Sequence, residues 1–264
     1  MGCPVIISRG AVLVLIFAAA AAWGQQPAPQ AQELRKLQDE VQHLEAQQQQ
    51  ILDSLDELKK LARGGGGPPP VKAPEKVSVA GEQFRGEAGA ALAIIEYADF
   101  ECPFCRRFQH DTWPQIRDTY IKTGKVKYFY RDFPLPFHEH STSAAQAARC
   151  AGEQGKFWEM HDSLFEEPTA LSSVDVQRRA GALGIDVTQF SSCVRDSHPG
   201  GTIQKSVAEA TQMQVSGTPT FLIGTIAPNG DIVNVRQTMV GAYPFEAFKE
   251  KIEPLLAGKA SGGG

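Results

Sequence analysis

Two thiols stand three positions apart in Cys102-Pro103-Phe104-Cys105, a spacing that lets them close into a disulfide and reopen. Thiol–disulfide exchange needs one thiolate to attack and a second thiol to release the mixed disulfide. Cys102 is the candidate nucleophile. Pro103 suits the first turn of a helix, where its missing N–H is not needed, so Cys102 falls at a helix N-terminus. Unpaired backbone N–H groups and the helix dipole there favour a thiolate over a thiol. Cys105 lies about one turn further in and is the candidate resolving thiol. The alternatives are a structural disulfide or half of a zinc site. A zinc site needs about two further ligands, and Cys150, Cys193, His138 and His140 lack ligand-like spacing. No metal is therefore expected.

Two other stretches could serve the pair. Glu96 lies just upstream in an apolar run, where a carboxyl could relay protons to and from Cys105. Burial would raise its pKa. The alternative is a solvent-facing strand residue, and the pattern does not choose between them. Gly217-Thr218-Pro219-Thr220 opens a second apolar run. A proline there leaves the strand edge incompletely paired, so backbone groups of Thr218 could bind an extended peptide. The bland alternative is an ordinary trans proline at a strand start. Cys150 and Cys193 remain as a structural pair once Cys102 and Cys105 are matched, with free buried thiols as the alternative. His110, His138, His140 and His161 read as surface residues or partners in local hydrogen bonds.

These residues need elements to hold them. Leu92 to Tyr97 reads as a buried central strand running into the dithiol. Pro103 to about Lys122 reads as a helix, kinked at Trp113-Pro114. Lys127 to Phe133 is a second strand, and Val77 to Ala80 a short edge strand. A helical stretch from about Glu139 to Met213 is divided by Gly152, Gly155, Pro168, Gly184 and Pro199. Thr220 to Ile226 and Asp231 to Val240 form a hairpin around Pro228-Asn229-Gly230, followed by a closing helix from Pro244 to Leu256. The tail from Ala257 reads as disordered.

Upstream, residues 1–24 read as a signal peptide: Arg9, an apolar run to Ala22, and small residues at Ala22 and Gly24. Residues 31–63 carry a heptad repeat. Leu34, Val41, Gln48, Leu55 and Ala62 fill its a positions, and Leu37, Leu44, Ile51 and Leu58 its d positions. That narrow seam on a polar helix calls for a partner, so a homo-oligomeric coiled coil through residues 31–63 is expected. Residues 64–75 form a Gly/Pro linker to a globular region at 76–257. Lys+Arg number 26 against 30 Asp+Glu, a net charge of −4 that argues against a nucleic-acid partner.

The stretches Tyr97-Ala98-Asp99-Phe100-Glu101-Cys102-Pro103-Phe104-Cys105, Ala147-Ala148-Arg149-Cys150-Ala151, Gly155-Lys156-Phe157-Trp158 and Gly217-Thr218-Pro219-Thr220-Phe221 resemble the DsbA-like branch of the thioredoxin superfamily. The resemblance implies an α/β thioredoxin fold with an inserted helical subdomain at about 135–213, here preceded by the coiled-coil helix. It implies that Cys102 attacks, Cys105 resolves, Pro219 is cis with Thr218 beside the dithiol, and Glu96 is the buried acid. It implies an extracytoplasmic, periplasmic or otherwise secreted, thiol–disulfide oxidoreductase without a cofactor. Its partners would be cysteine-containing secreted proteins and a membrane redox protein that recycles the dithiol. The histidine of the typical oxidase dipeptide is replaced by Pro103-Phe104, and the heptads are foreign to monomeric oxidases. Both features favour an isomerase or reductase over a DsbA-type oxidase. An oligomeric chaperone or metal-binding protein with a structural CxxC is the reading from another class.

Overall fold

Leu92–Ala98 (β3) is buried along its whole length, and the alternation of strand side chains sorts it into two faces. Leu92, Ile94 and Ala98 join one core cluster with Cys105, Phe108, Ile116, Tyr128 and Phe248. Ala93, Ile95 and Tyr97 join a second with Phe129, Ala210, Met213 and Leu222. The sheet is thus covered on both sides. Glu96 shares the parity of Ile94 and Ala98, which sends its carboxyl into the cluster that holds Cys105.

The computed structural model describes residues 71–167 and 170–260, with 33, 36–38, 40–42, 44, 48, 49 and 52 upstream. Around β3 lie Lys76–Ser78 (β1), Phe84–Arg85 (β2), Val126–Asp132 (β4), Thr220–Ile226 (β5) and Ile232–Val240 (β6), in the sheet order β1-β6-β5-β3-β4-β2. β3 runs parallel to β4 and antiparallel to β5. A parallel pair needs a crossover, and the segment after Cys102 supplies it. That segment comprises Pro103–Arg107 (α1), a π-helical turn Phe108–Thr112, Trp113–Ile116 (α2) and a second π-helical turn Arg117–Ile121. The expected disturbance at Trp113-Pro114 therefore begins five residues earlier, at Phe108. Pro114 itself stands in the first turn of α2, where it removes no needed hydrogen bond.

Between β4 and β5 come Ser141–Gly152 (α3), Phe157–Glu166 (α4), Ser173–Ala182 (α5), Val187–Arg195 (α6) and Gly200–Gln212 (α7). Ser172 and Asp175 close a capping box on α5, and Asp186 caps α6 by accepting from Thr188 and Gln189 N–H. A disulfide joins Cys150 on α3 to Cys193 on α6. Phe245–Ala260 (α8) closes the fold. It continues through Ala257 to Ala260, so the expected disordered tail is helical over those residues. β2 was not foreseen, because two residues carry no readable alternation.

The described residues fall into two units divided between Gly67 and Pro68. Those upstream are all helical and exposed, with Leu37, Val41, Leu44 and Leu52 each about half-exposed. The expected signal peptide at 1–24, most of the heptad segment 31–63 and the expected linker up to 70 lie outside the described residues. Among the described residues no helix is long and apolar enough to cross a membrane.

The β5–β6 pairing slips at Ile223/Gly224, and there the strands approach closely. A Cβ on Gly224 would stand 2.1 Å from the Asn234 carbonyl oxygen and 2.8 Å from its carbon. Both are backbone atoms, so no flexible side chain can yield. Gly224→Ala is expected to cost about 3 kcal/mol, the upper end for overpacking. Thermal unfolding should then fall by roughly 6–12 °C. A drop of less than about 2 °C would mean the strands separate there without strain.

Candidate active site

The end of β3 and the start of α1 place the dithiol. Cys102 is the N-cap of α1, with its N–H donated to the Asp99 carbonyl at 3.1 Å and Pro103 in the first turn. Both thiols are free. Cys102 is only 4% exposed, less open than its sequence position implied. Its side chain lines an apolar groove of about 520 Å³, walled by Phe104, Arg107, Leu135, Phe137, Thr218 and Ala242. Thr218-Pro219 is cis and lies across from Cys102, whose Sγ stands 3.4 Å from the Thr218 carbonyl oxygen and donates to it when protonated. Among the described residues the Thr218 hydroxyl has no hydrogen-bond partner, which leaves it free to turn toward a thiolate.

The two sulfurs are set to different tasks. A hydrogen bond from the Cys105 thiol lowers the Cys102 pKa most, against the opposing effect of burial. Thr218 and the backbone N–H groups of Cys105 and Phe104 add to it, and the result is about 6. Cys105 is fully buried, and burial above all holds its pKa well above the ordinary thiol value. The outer sulfur is therefore a thiolate at neutral pH and the inner one a thiol.

Glu96 is 0% exposed, which resolves the choice the strand pattern left open. Burial pushes its pKa up to about 8, opposed by hydrogen bonds from Tyr128 and Gln109. Cys102 raises it further, and Glu96 in turn raises Cys105. The Tyr128 hydroxyl donates to Glu96 Oε2, and Gln109 Nε2 donates to the same oxygen at 3.1 Å. Gln109 also reaches the Tyr128 hydroxyl, at 3.0 Å. Neither Gln109 nor Tyr128 was singled out from sequence. The available signal was that Gln109 stands four residues after Cys105, on its face of the helix.

Two carboxylates, Asp99 and Glu101, hold the loop that forms one wall of the groove. Asp99, 1% exposed, accepts from Glu101 N–H at 2.8 Å and Leu135 N–H at 2.7 Å, and meets His138 Nδ1 at 2.8 Å. Glu101 accepts from His140 N–H at 2.6 Å. The loop between β4 and α3 is thus tied to the residues just before Cys102. It presents Phe137, 77% exposed, beside Phe104, 53% exposed. His138, expected on a surface or in a local hydrogen bond, pairs with Asp99 and lines the groove. His161 is wholly buried, hydrogen-bonded to Asp162, and kept neutral by burial with a pKa of about 4. Among the described residues, Glu153, Cys193 and His198 bring ligand-type atoms together, but Cys193 is committed to its disulfide.

A thioredoxin family model, Thioredoxin_4, matches residues 78–234. The chain belongs to the thioredoxin family, and its fold is of the DsbA-like kind. BdbD from Bacillus subtilis superposes with a TM-score of 0.60 at 21% identity, covering 71% of this chain and 99% of that one. Wolbachia pipientis alpha-DsbA1 gives 0.57 at 23% identity, covering 69% and 94%. A periplasmic thioredoxin-like protein from Salmonella enterica serovar Typhimurium gives 0.51 at 18% identity, covering 67% and 90%. Among curated proteins, Na(+)/H(+) antiporter NhaA 3 of Salinispora tropica is 38% identical over 143 residues, which is 54% of this chain and 21% of the antiporter. Na(+)/H(+) antiporter NhaA 1 of Salinispora arenicola is 33% identical over 178 residues, 67% of this chain and 25% of that protein. The chain spans about a quarter or less of the length of these relatives.

Proposed function

We propose that this chain is an extracytoplasmic thiol–disulfide oxidoreductase acting on protein disulfides. One observation carries the reading: a stabilised thiolate at Cys102 opens onto an apolar groove, with a protonated Cys105 hydrogen-bonded behind it. Cys102 attacks a substrate disulfide and forms a mixed disulfide. Cys105 then attacks the Cys102 sulfur and releases the substrate thiolate, closing the 102–105 disulfide. Phe104 and Phe137 hold an extended segment of a cysteine-containing secreted protein, and Thr218 offers it backbone pairing. A membrane redox protein resets the dithiol. The signal-like residues 1–24 and the Cys150–Cys193 disulfide support an oxidising compartment.

Within that class we favour isomerase or reductase work in a homo-oligomer joined through residues 31–63, on the strength of the heptad repeat. A DsbA-type oxidase is the second reading. It is favoured by the lowered Cys102 pKa, because stabilising the reduced form makes the pair more oxidising. Two measurements separate them: the 102–105 potential against glutathione, and the sedimentation mass with and without residues 25–75. The isomerase reading expects an oligomer that becomes monomeric on deletion and loses reactivation of a scrambled substrate. Monomers in both cases, with equal reactivation, would overturn it.

A further inference from the structure

A buried acid that moves protons must exchange them with water somewhere. The groove at Cys102 is a poor route, since a bound substrate covers it. Glu96 is enclosed, and so is Tyr128, each 0% exposed. Gln109, the other side chain that donates to the Glu96 carboxyl, is only partly buried. It lines a separate cleft of about 410 Å³ together with Arg106, His110, Trp113, Asp162 and Glu166. That cleft shares no lining residue with the groove. Gln109 also sits in the π-helical turn Phe108–Thr112, and such turns recur at functional sites.

The hydrogen bonds are lopsided. Tyr128 and Gln109 both donate to Oε2, whereas the buried Oε1 has no partner among the described residues. With Oε2 already accepting two donors, a proton on Glu96 resides on Oε1. The titratable groups facing Glu96 are Cys102 and Cys105 from the active-site helix and Tyr128 and Tyr130 from β4, while Arg85 of β2 acts on Tyr128. Its neighbour on β5, Phe221, is apolar.

We propose that Gln109 is a positioning residue: by holding Glu96 Oε2 from the cleft side, it leaves Oε1 to exchange the Cys105 proton. The inference rests on the exchange reading. In the resolving step the Cys105 proton passes to Glu96 Oε1 as the Cys105 sulfur bonds to the Cys102 sulfur. The bond between Cys102 and the substrate sulfur breaks, and the substrate leaves as a thiolate. The substrate disulfide gains the two electrons that the dithiol loses. Glu96 then returns its proton to water.

The test uses the full chain with Cys102 loaded as a mixed disulfide to a fluorescent peptide thiol. Peptide release is followed against pH in the parent and in Gln109→Met, which keeps the length but loses the donor. Removing a donor that favours the carboxylate raises the Glu96 pKa, so release should slow about tenfold at pH 7 and recover toward pH 10. The infrared carbonyl band of protonated Glu96 should persist to higher pH by about the same margin. In a Glu96→Gln background, Gln109→Met should change nothing further. Equal slowing of release at every pH, or an unmoved carbonyl band, would overturn the inference while leaving exchange itself intact. Loss of the exchange reading would show differently, as turnover surviving without the Cys102 thiol.

Discussion

Cys102→Ser is expected to bring exchange to background, with no reactivation of a scrambled substrate at any pH. With a pKa of about 6, roughly nine in ten Cys102 side chains are thiolate at pH 7, and a serine hydroxyl supplies none. Cys105→Ser should act differently. It leaves the attacking sulfur in place but removes the resolving one, so a mixed disulfide with substrate accumulates and is seen on a non-reducing gel. The pH dependence follows from the sign of the shift. Alkylation of Cys102 should rise with pH through a midpoint near 6 and level off above about 7, whereas an ordinary thiol keeps rising toward 9. The lowered pKa also stabilises the folded dithiol. That increment is complete above about pH 9 and is lost as pH falls through about 6. The oxidised protein lacks it, so the reduced form should lose stability relative to the oxidised form on acidification. Turnover by Cys102→Ser would sink the enzymatic reading and leave the chaperone or metal-binding one.

Much of this site was legible because short-range rules govern it. An apolar run, a CxxC and a following proline suffice to place Cys102 at the start of a helix. The strand read as Leu92 to Tyr97 is Leu92–Ala98 in the structure, and the hairpin turns at Pro228-Asn229-Gly230 as expected. Glu96 was not decidable for a physical reason. A strand buried on both faces has no polar side to set the parity, so only the positions of Cys105 and Tyr128 show which way it points. The groove wall was missed because it depends on contacts between distant segments. Asp99 holding Leu135 and His138 is a loop-to-strand tie with no periodic signature. Gly224 was passed over inside a good strand pattern. Its meaning lies in the approach of Asn234, which no local rule reports. The heptad segment shows the converse case: its periodicity is plain in the sequence, yet most of it lies outside the described residues.

Replacing both Cys150 and Cys193 with alanine should cost stability rather than exchange. The bond closes a loop with a sequence separation of 43 residues, for which chain entropy gives about 4 kcal/mol. Thermal unfolding should fall by roughly 8–16 °C. The loss falls on the insertion, because the bond ties α3 to α6. α3 in turn reaches the sheet through Arg149, which donates to Asp132 Oδ2 at 2.7 Å and to the Tyr130 carbonyl at 3.0 Å. Loosening the insertion therefore loosens a contact with β4, but it leaves Cys102, Cys105 and Thr218 in place at 25 °C. The two cysteine pairs should also differ in access. Cys150 is 0% exposed and Cys193 8%, and neither lines the groove. A small thiol reductant should open a 102–105 disulfide while the 150–193 bond persists until the insertion unfolds. Mass spectrometry of alkylated protein counts the two populations. Simultaneous reduction of both pairs under native conditions, or a double variant that unfolds within about 2 °C of the parent, would show that the 150–193 bond does not hold the insertion closed.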